Sequence, residues 1–272
     1  MIHEVELIRT EAVLVRRVEH VPGVRHRDPD RECVGSHGIN FVEAGSFRVR
    51  TTGRWLRLDE RCMFVTAPTM EFSCAHDGDY PVDRCYSIRY ADEAVENARA
   101  LVTLGASPVR PLTNRQAFLQ RMLRQCAKGD EARTEALAGA LLGSLATHVP
   151  RQPLFRPDRL AWYAARIDRA KALIAARHAE PLSLSDMARD VGMSVFHFAR
   201  IFRELEGEAP HRFLTGVRLA HAYARLREGA GVTETCFAVG FGSLSHFVTS
   251  FRRRHGCRPS EVGGSTGSRP RR

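Results

Sequence analysis

Apolar and polar residues recur with two different periods along this chain, and the period changes near residue 92. Between residues 5 and 90, short apolar runs are separated by Gly, Pro and Asp. Some of these runs alternate with period two, as in Phe47, Val49 and Thr51, which is typical of a half-buried β-strand. Many short strands at regular spacing favour a β-sandwich or barrel. Examples of these runs are residues 12–18, 38–42, 46–51, 61–67 and 84–90.

From about residue 92 the apolar residues recur three and four positions apart, which predicts α-helices. We expect helices over 94–104, 114–127 and 131–147, and the last carries Leu137, Leu141 and Leu145 on one stripe. This stripe is a candidate dimer face. Packing against the chain's own β-domain explains it equally well.

Three prolines within residues 150–157 exclude a helix there and predict a linker. After the linker, the apolar spacing predicts helices alone, so the fold class is α+β. The expected domains are a β-rich sensor or dimerisation domain with C-terminal helices (1–150), a Pro-rich linker (151–157), an all-α domain (158–262) and a flexible basic tail (263–272).

The helical part contains the same arrangement twice: a short helix, a glycine turn and a longer helix. Ser183 and Asp186 have the spacing of a capping box at the start of the first short helix. Gly192 and Gly240 are the expected exits of the two short helices, since glycine adopts the left-handed conformation at little cost. Aligned residues are 48 apart before the glycines and 49 apart after an inserted residue, as in Ala188/Cys236, Val191/Val239, Phe198/Phe247 and Phe202/Phe251.

A further helix over 212–227 connects the two copies, with Phe213, Val217, Ala220 and Ala224 at core spacing. In each copy two phenylalanines four residues apart fix the second helix to a core, and the opposite face stays free. A helical hairpin without DNA is the alternative interpretation of one copy. Two copies in register favour a DNA-reading helix-turn-helix.

The charge is distributed unevenly along the chain. Residues 1–150 carry 20 Lys and Arg against 20 Asp and Glu, whereas residues 151–272 carry 21 against 11. The whole net charge of +10 therefore lies in the helical part. Most of the cations are Arg, which a GC-rich genome would also give, but such a bias would affect both parts. We expect the helical part to face a polyanion.

The seven cysteines are an odd number and are scattered, which indicates reduced thiols and a cytoplasmic protein. Neither a signal peptide nor an apolar run long enough for a membrane helix is present, so we expect no membrane partner. Cys74, His76 and Cys85, with Cys33 and His37 upstream, are candidates for a metal or redox site, but their spacing fits no standard zinc module. We therefore expect no metal and no cofactor.

The segment 166–262 resembles the DNA-binding domain of the AraC/XylS-type transcriptional regulators. The resemblance is carried by EPLSLSDMARDVGMS, FRELEGEAPHRFLTGVRLAHAYARL and VTETCFAVGFGSLSHFVTSFRRRHGCRP, in this order. It implies two helix-turn-helix subdomains joined by a connecting helix, each presenting one helix to one of two successive major grooves. It also implies a cupin-like β-barrel in the N-terminal domain, double-stranded DNA as a partner, and a small-molecule effector, a homodimer and RNA polymerase as candidate partners.

The resemblance places Val195, Phe196, Ala199 and Arg200 on the first groove. Arg200 is the best candidate for a bidentate guanine contact, and Phe196 can pack on a thymine methyl. The remaining arginines have two interpretations: they bind DNA phosphates, or they are solvated residues near helix ends. They are Arg203, Arg252, Arg253 and Arg254. On the second groove the corresponding residues are Ser243, Leu244, Ser245, Val248 and Thr249.

Two other classes of protein are alternatives to a regulator of transcription. A DNA-repair methyltransferase with a similar helical domain would need metal-spaced cysteines near the N-terminus, and the sequence has none there. A helical scaffold protein would not show steeply salt-dependent DNA binding. No nucleophile motif, phosphate loop or dinucleotide motif occurs, so we expect no enzyme activity.

Overall fold

The structure is a computed structural model of the chain. It divides into two compact units, Met1–Arg156 and Pro157–Arg272, and each is described by itself. Among the described helices, none combines the length and the apolar character that a membrane crossing requires. The structure describes residues 2–20, 31–51, 53–76, 83–96, 107–126, 129–146 and 153–262.

In the first unit, the described strands form two antiparallel sheets. Their order is β1-β2-β9-β4-β7-β10 in the larger sheet and β3-β8-β5-β6 in the smaller one. A closed barrel is therefore not confirmed, because no pairing among the described strands joins the two sheets into one ring. The strands are β1 (Ile2–Arg9), β2 (Val13–His20), β3 (Arg31–Cys33), β4 (His37–Ala44), β5 (Phe47–Thr51), β6 (Arg54–Leu58), β7 (Cys62–Thr66), β8 (Glu71–His76), β9 (Asp83–Tyr90) and β10 (Val109–Pro111).

Alternation of side chains builds the core of this unit. On β5, Phe47, Val49 and Thr51 are buried, as their period-two spacing predicts, while Arg48 lies in solvent. The buried residues form one apolar cluster with strands of both sheets, so each sheet buries one face. The cluster comprises Val34, Val42, Phe47, Val49, Leu58, Phe64, Phe72 and Cys85.

Helices follow the strands, as the change of period predicts. The part of the expected helix 94–104 that lies beyond residue 96 falls outside the described residues. Leu137 and Leu141 of the expected dimer stripe are buried inside their own unit, so these two side chains cannot form an exposed dimer face. The Tyr90 hydroxyl donates to the Ala138 carbonyl at 3.0 Å, which ties this helix to the sheet. The helices are α1 (Asp92–Val95), α2 (Asn114–Cys126) and α3 (Glu131–Ser144).

Within residues 157–262, the described part of the second unit, helices are the only regular elements. The expected capping box is present, because the Ser183 hydroxyl accepts from the Asp186 N–H and the Asp186 side chain accepts from the Ser183 N–H. Both turn glycines are left-handed, with φ of +66° at Gly192 and +89° at Gly240. The helices are α4 (Pro157–Arg177), α5 (Leu184–Asp190), α6 (Val195–Glu206), α7 (Pro210–Arg227), α8 (Val232–Ala238), α9 (Leu244–His255) and α10 (Pro259–Val262).

The expected core face of the connecting helix α7 was wrong. Phe213 and Val217 are only half-buried, and Ala220 and Ala224 lie in solvent. The physical reason is that alanines carry little apolar surface, so the neighbouring face with Leu214, Leu219 and Leu226 gains more by burial. The buried positions of α7 are Pro210, Leu214, Leu219, Ala222 and Leu226.

Candidate nucleic-acid interface

The first helix-turn-helix holds α6 by one face. Phe198 and Phe202 are fully buried, and their rings pack edge to face with centroids 5.6 Å apart. Phe202 makes the same kind of contact with Phe213 of α7, also at 5.6 Å. Lys171 and Glu206 add an ion pair of 2.9 Å between α4 and the end of α6. The helix is therefore fixed on its inner side along its whole length.

The opposite face of α6 is free, as the spacing of the phenylalanines predicts. Phe196 has 91% of its surface exposed, which is extreme for a large apolar side chain. Arg200 and Arg203 are exposed on the same side of the helix. Val195 and Ala199 are half-buried beside them. The five predicted residues thus lie on one accessible face. An exposed aromatic beside two guanidinium groups suits the methyl groups, base edges and phosphates of a DNA groove.

One group beside this face was missed by sequence reasoning. The Arg159 Nε donates to the Tyr163 hydroxyl at 3.0 Å, and that oxygen lies 3.1 Å from the Nε2 of His197. The buried Tyr163 thereby links the start of α4 to the start of α6. Burial, Arg200 and Arg159 lower the pKa of His197. Arg159 and His197 are 38 positions apart in sequence, so no local pattern could have revealed this contact.

The second helix-turn-helix repeats the construction. Phe247 and Phe251 of α9 are fully buried, and Phe247 packs edge to face on Phe241 at 5.1 Å. At the end of α9 the His255 ring stacks on Tyr223 of α7 with centroids 4.8 Å apart. The inner face of α9 is fixed to α7 and α8 in the way that α6 is fixed to its own neighbours.

The outer face of α9 is poorer in hydrogen-bonding groups. Ser245 and Thr249 are exposed, and Leu244 is 38% exposed. Ser243 is the N-cap, and its hydroxyl accepts from the His246 N–H at 3.5 Å, so part of its bonding capacity is used inside the helix. His246 is also exposed on this helix. It was not among the residues selected from the sequence.

Val248 is less exposed than the other residues of the expected outer face of α9. It is half-buried and packs against the apolar cluster of α7, α8 and α9. Its position three residues before Phe251 and one after Phe247 turns the side chain toward that cluster rather than straight outward. Its share in any outer surface is correspondingly small.

The basic end of α9 is exposed. Arg252, Arg253 and Arg254 all lie in solvent, and none of the three forms an ion pair with another described residue. Cations in the last helical turn are stabilised by the partial negative charge of the helix C-terminus. Gly256 ends the helix in the left-handed conformation, with φ of +74°. Three adjacent guanidinium groups are thus available to an anionic partner.

Two of the cysteine candidates, Cys74 and Cys85, pack in the core of the first unit. Among the described residues, no group of three or more His, Cys, Asp and Glu side chains could hold a metal ion. Burial raises the pKa of the Cys85 thiol, which therefore stays protonated. Cys74 is half-buried against the same core, and the side chains of Cys33 and His76 lie outside the described residues. Cys85 behaves as a small apolar core residue.

Known proteins support this interpretation of the helical unit. Residues 187–264 match the model of a helix-turn-helix domain. The HTH-type transcriptional regulator ExsA of Pseudomonas aeruginosa is 25% identical over 236 residues, which is 84% of this chain and 77% of ExsA. The HTH-type transcriptional activator RhaS of Escherichia fergusonii is 29% identical over 141 residues. That alignment covers 52% of this chain, which thus spans about half the length of RhaS (50%).

A solved structure also aligns with part of this chain. It is a probable AraC family transcriptional regulator from Rhodopseudomonas palustris, 28% identical, with a TM-score of 0.35. The alignment covers 36% of this chain and 94% of that chain. The two relatives are named as regulators of transcription and neither is named as an enzyme. The matched model and these relatives show that the helical unit contains a helix-turn-helix domain similar to the domains of the AraC/XylS-type regulators.

Proposed function

We propose that the chain is a sequence-specific DNA-binding regulator of transcription that reads two successive major grooves with α6 and α9. One observation carries this proposal: each helix is fixed by two buried phenylalanines and presents its opposite face to solvent. A helix of about 12 Å diameter fits the major groove of B-DNA, which is about 12 Å wide. The net charge of +10 in this part of the chain supports a polyanionic partner.

The first groove is the one read by hydrogen bonds. Arg200 is proposed to donate to O6 and N7 of a guanine, and Phe196 to pack on a thymine methyl. Val195 and Ala199 complete the surface with small apolar contacts. The exposure of Phe196 supports this role, because an isolated monomer gains nothing from a fully solvated phenylalanine.

The second groove is proposed to be read more weakly. Its residues are small or apolar, and the half-buried Val248 contributes little. Arg203, Arg252, Arg253 and Arg254 are proposed phosphate clamps that fix the position of both helices on the duplex. The proposed contacts on this groove come from Ser243, Leu244, Ser245, Val248 and Thr249.

The N-terminal unit is proposed to regulate this binding. We keep the cupin-like barrel, a small-molecule effector, a homodimer and a contact with RNA polymerase as proposals that follow from the resemblance. The domain limits 1–150, 151–157, 158–262 and 263–272 and the cytoplasm as compartment are proposals as well. The relative that is named an activator supports activation as the direction of control.

Selection of bound duplexes from a random pool by the full chain tests the proposed function. We expect two blocks of preferred sequence about 10 base pairs apart on one side of the duplex, the first richer in sequence information. The apparent affinity should fall steeply with salt. A pool that shows no preferred sequence after selection would overturn the proposal, and a single block would overturn the reading of two grooves.

A further inference from the structure

A small group of residues joins the two helix-turn-helix repeats, and we call it the inter-repeat joint. It consists of residues 178–180 after α4, Arg218 and His221 of α7, and Gly240 in the turn of the second repeat. The α4 end belongs to the first repeat, because α4 carries the ion pair between Lys171 and Glu206. At the joint, the second repeat therefore contacts the first repeat directly, in addition to the connection through α7.

Arg218 binds the end of α4 with two hydrogen bonds. Its Nε donates to the His178 carbonyl at 2.6 Å, and its Nη2 donates to the Glu180 carbonyl at 2.8 Å. Both carbonyls lie in the segment that follows the end of α4 at Arg177, and the planar guanidinium donates to both of them. The Glu180 carbonyl also accepts from the Leu182 N–H at 2.8 Å. The side chain is half-buried, and burial lowers its pKa. Arg218 is therefore engaged with the backbone rather than turned toward an outside anion.

His221 reinforces the same contact one turn along α7. Its ring stacks on the ring of His178, with centroids 3.9 Å apart and an angle of 8° between the planes. Arg218 and His221 lie three residues apart on one face of α7, so both hold the same end of α4. The connecting helix cannot roll relative to the first repeat without breaking both contacts.

Gly240 brings the second repeat against the same segment. A Cβ atom at this position would lie 2.7 Å from the Ala179 carbonyl oxygen and 3.0 Å from the His178 carbonyl oxygen. Both neighbours are backbone atoms, which cannot swing away as a flexible side chain can. Gly192, the matching glycine of the first repeat, is also left-handed but has nothing within 4 Å of such a Cβ. The two glycines share a backbone conformation, and only Gly240 is in a close approach.

We propose that Arg218 and Gly240 are positioning residues that fix the angle between the two repeats and so make the protein specific for the spacing of its two DNA blocks. This inference rests on the proposed function. Adding one base pair between the blocks moves the second block by about 3.4 Å and rotates it by about 35° around the duplex. A joint held by two charge-assisted hydrogen bonds, a stacked ring pair and a backbone contact cannot follow that rotation. A loosened joint can follow it, at the cost of affinity for the original spacing.

The test measures the affinity of the full chain for three duplexes that carry both selected blocks, one with the original spacing and two with one base pair added or removed. For the unchanged protein we expect a loss of about 100-fold at either altered spacing, because simultaneous engagement of both blocks is lost. At the original spacing, Arg218→Ala and Gly240→Ala should bind about tenfold more weakly than the unchanged protein. For each variant, a change of spacing should then lower the affinity by less than about threefold.

Two control variants match these changes. Arg227→Ala removes the same charge from an exposed position of α7, and Gly192→Ala imposes the same left-handed strain without the close approach. Both should keep the full spacing preference. Arg218→Lys keeps the charge but not the planar fork and should give an intermediate preference. It also keeps the test decisive if a variant with alanine fails to fold, which thermal unfolding would reveal.

Each outcome decides something different. An unchanged protein that selects no preferred sequence overturns the proposed function and the inference with it. An unchanged protein that reads both blocks but tolerates altered spacing overturns the inference alone. The inference is also overturned if Arg218→Ala or Arg218→Lys retains the spacing preference of Arg227→Ala, while the proposed function stands.

Discussion

Arg200 and Glu204 form an ion pair along the outer side of α6, with 3.3 Å between Nη1 and Oε2. The two residues are one helical turn apart, and the arginine side chain is 59% exposed. An exposed pair of this kind contributes little to stability. It holds the guanidinium along the helix axis in the absence of DNA, and a guanine that offers two acceptors can take over the donors.

Arg200→Ala should therefore cost about 1–3 kcal/mol of binding free energy at the selected DNA site and little on random DNA. The measurement is a titration of both duplexes at one salt concentration. Arg189→Ala is the control, since it removes an exposed arginine of the first repeat from α5. An equal loss on selected and random DNA would show that Arg200 contacts only phosphate.

Arg252→Ala should weaken binding to selected and random DNA alike, because phosphates are the same in every sequence. The slope of log affinity against log salt should become flatter by about one unit. The measurement is the same titration repeated at several salt concentrations. A loss confined to the selected duplex would contradict the role of phosphate clamp.

Phe196 and Phe198 are two residues apart on α6 and face opposite ways, which provides a matched pair of variants. Phe198→Ala should destabilise the protein by about 3–5 kcal/mol, since it removes a fully buried ring. Phe196→Ala should leave the free energy of unfolding within about 0.5 kcal/mol of the unchanged protein and weaken binding to the selected DNA. Urea unfolding and DNA titration measure the two effects. A large loss of stability in Phe196→Ala would mean that its ring is packed against the protein.

The free energy of unfolding of the helical unit should decrease as the pH falls below about 6.5, the ordinary pKa of histidine. Burial is the first cause that lowers the pKa of His197, His221 and His255 in the folded protein from the ordinary value of 6.5. The unfolded chain then binds more protons than the folded one below about pH 6.5, so stability rises with pH in that window and falls as the pH drops through it. Urea midpoints at about pH 7.5 and about pH 5.5 measure the change. His221→Gln removes one of the three groups and should reduce the difference, and midpoints that do not change with pH would contradict the prediction.

Much of the helical unit could be predicted from local patterns. The capping box of Ser183 and Asp186 depends on residues three apart, and the turn glycines depend on one backbone angle each, so a short stretch of sequence contains the necessary information. The free faces of α6 and α9 follow from the spacing of the buried phenylalanines. The structure confirms the capping box and the left-handed glycines, and the half-buried Val248 lies at the edge between the two faces of α9.

The predictions that failed depend on partners distant in sequence. The core face of α7 depends on which of two apolar stripes meets its neighbours, and the spacing of Phe213 and Ala220 could not decide this. The alignment of the repeats treats Gly192 and Gly240 as equivalent, because the close approach of Ala179 is visible only in three dimensions. The strands Ile2–Arg9, Arg54–Leu58 and Glu71–His76 are not among the runs named from the sequence, because charged or polar residues interrupt their apolar pattern.

The unequal outer faces of α6 and α9 have a consequence for the promoters that such a protein would serve. An outer face with arginine and phenylalanine loses affinity at most base changes in its DNA site. An outer face with serine, threonine and leucine loses little at most of them. Under the proposed reading of two grooves, target sites should accordingly vary from gene to gene mainly in the half assigned to α9. Graded expression across a regulon could then arise from small differences in that half alone, without any change in the protein.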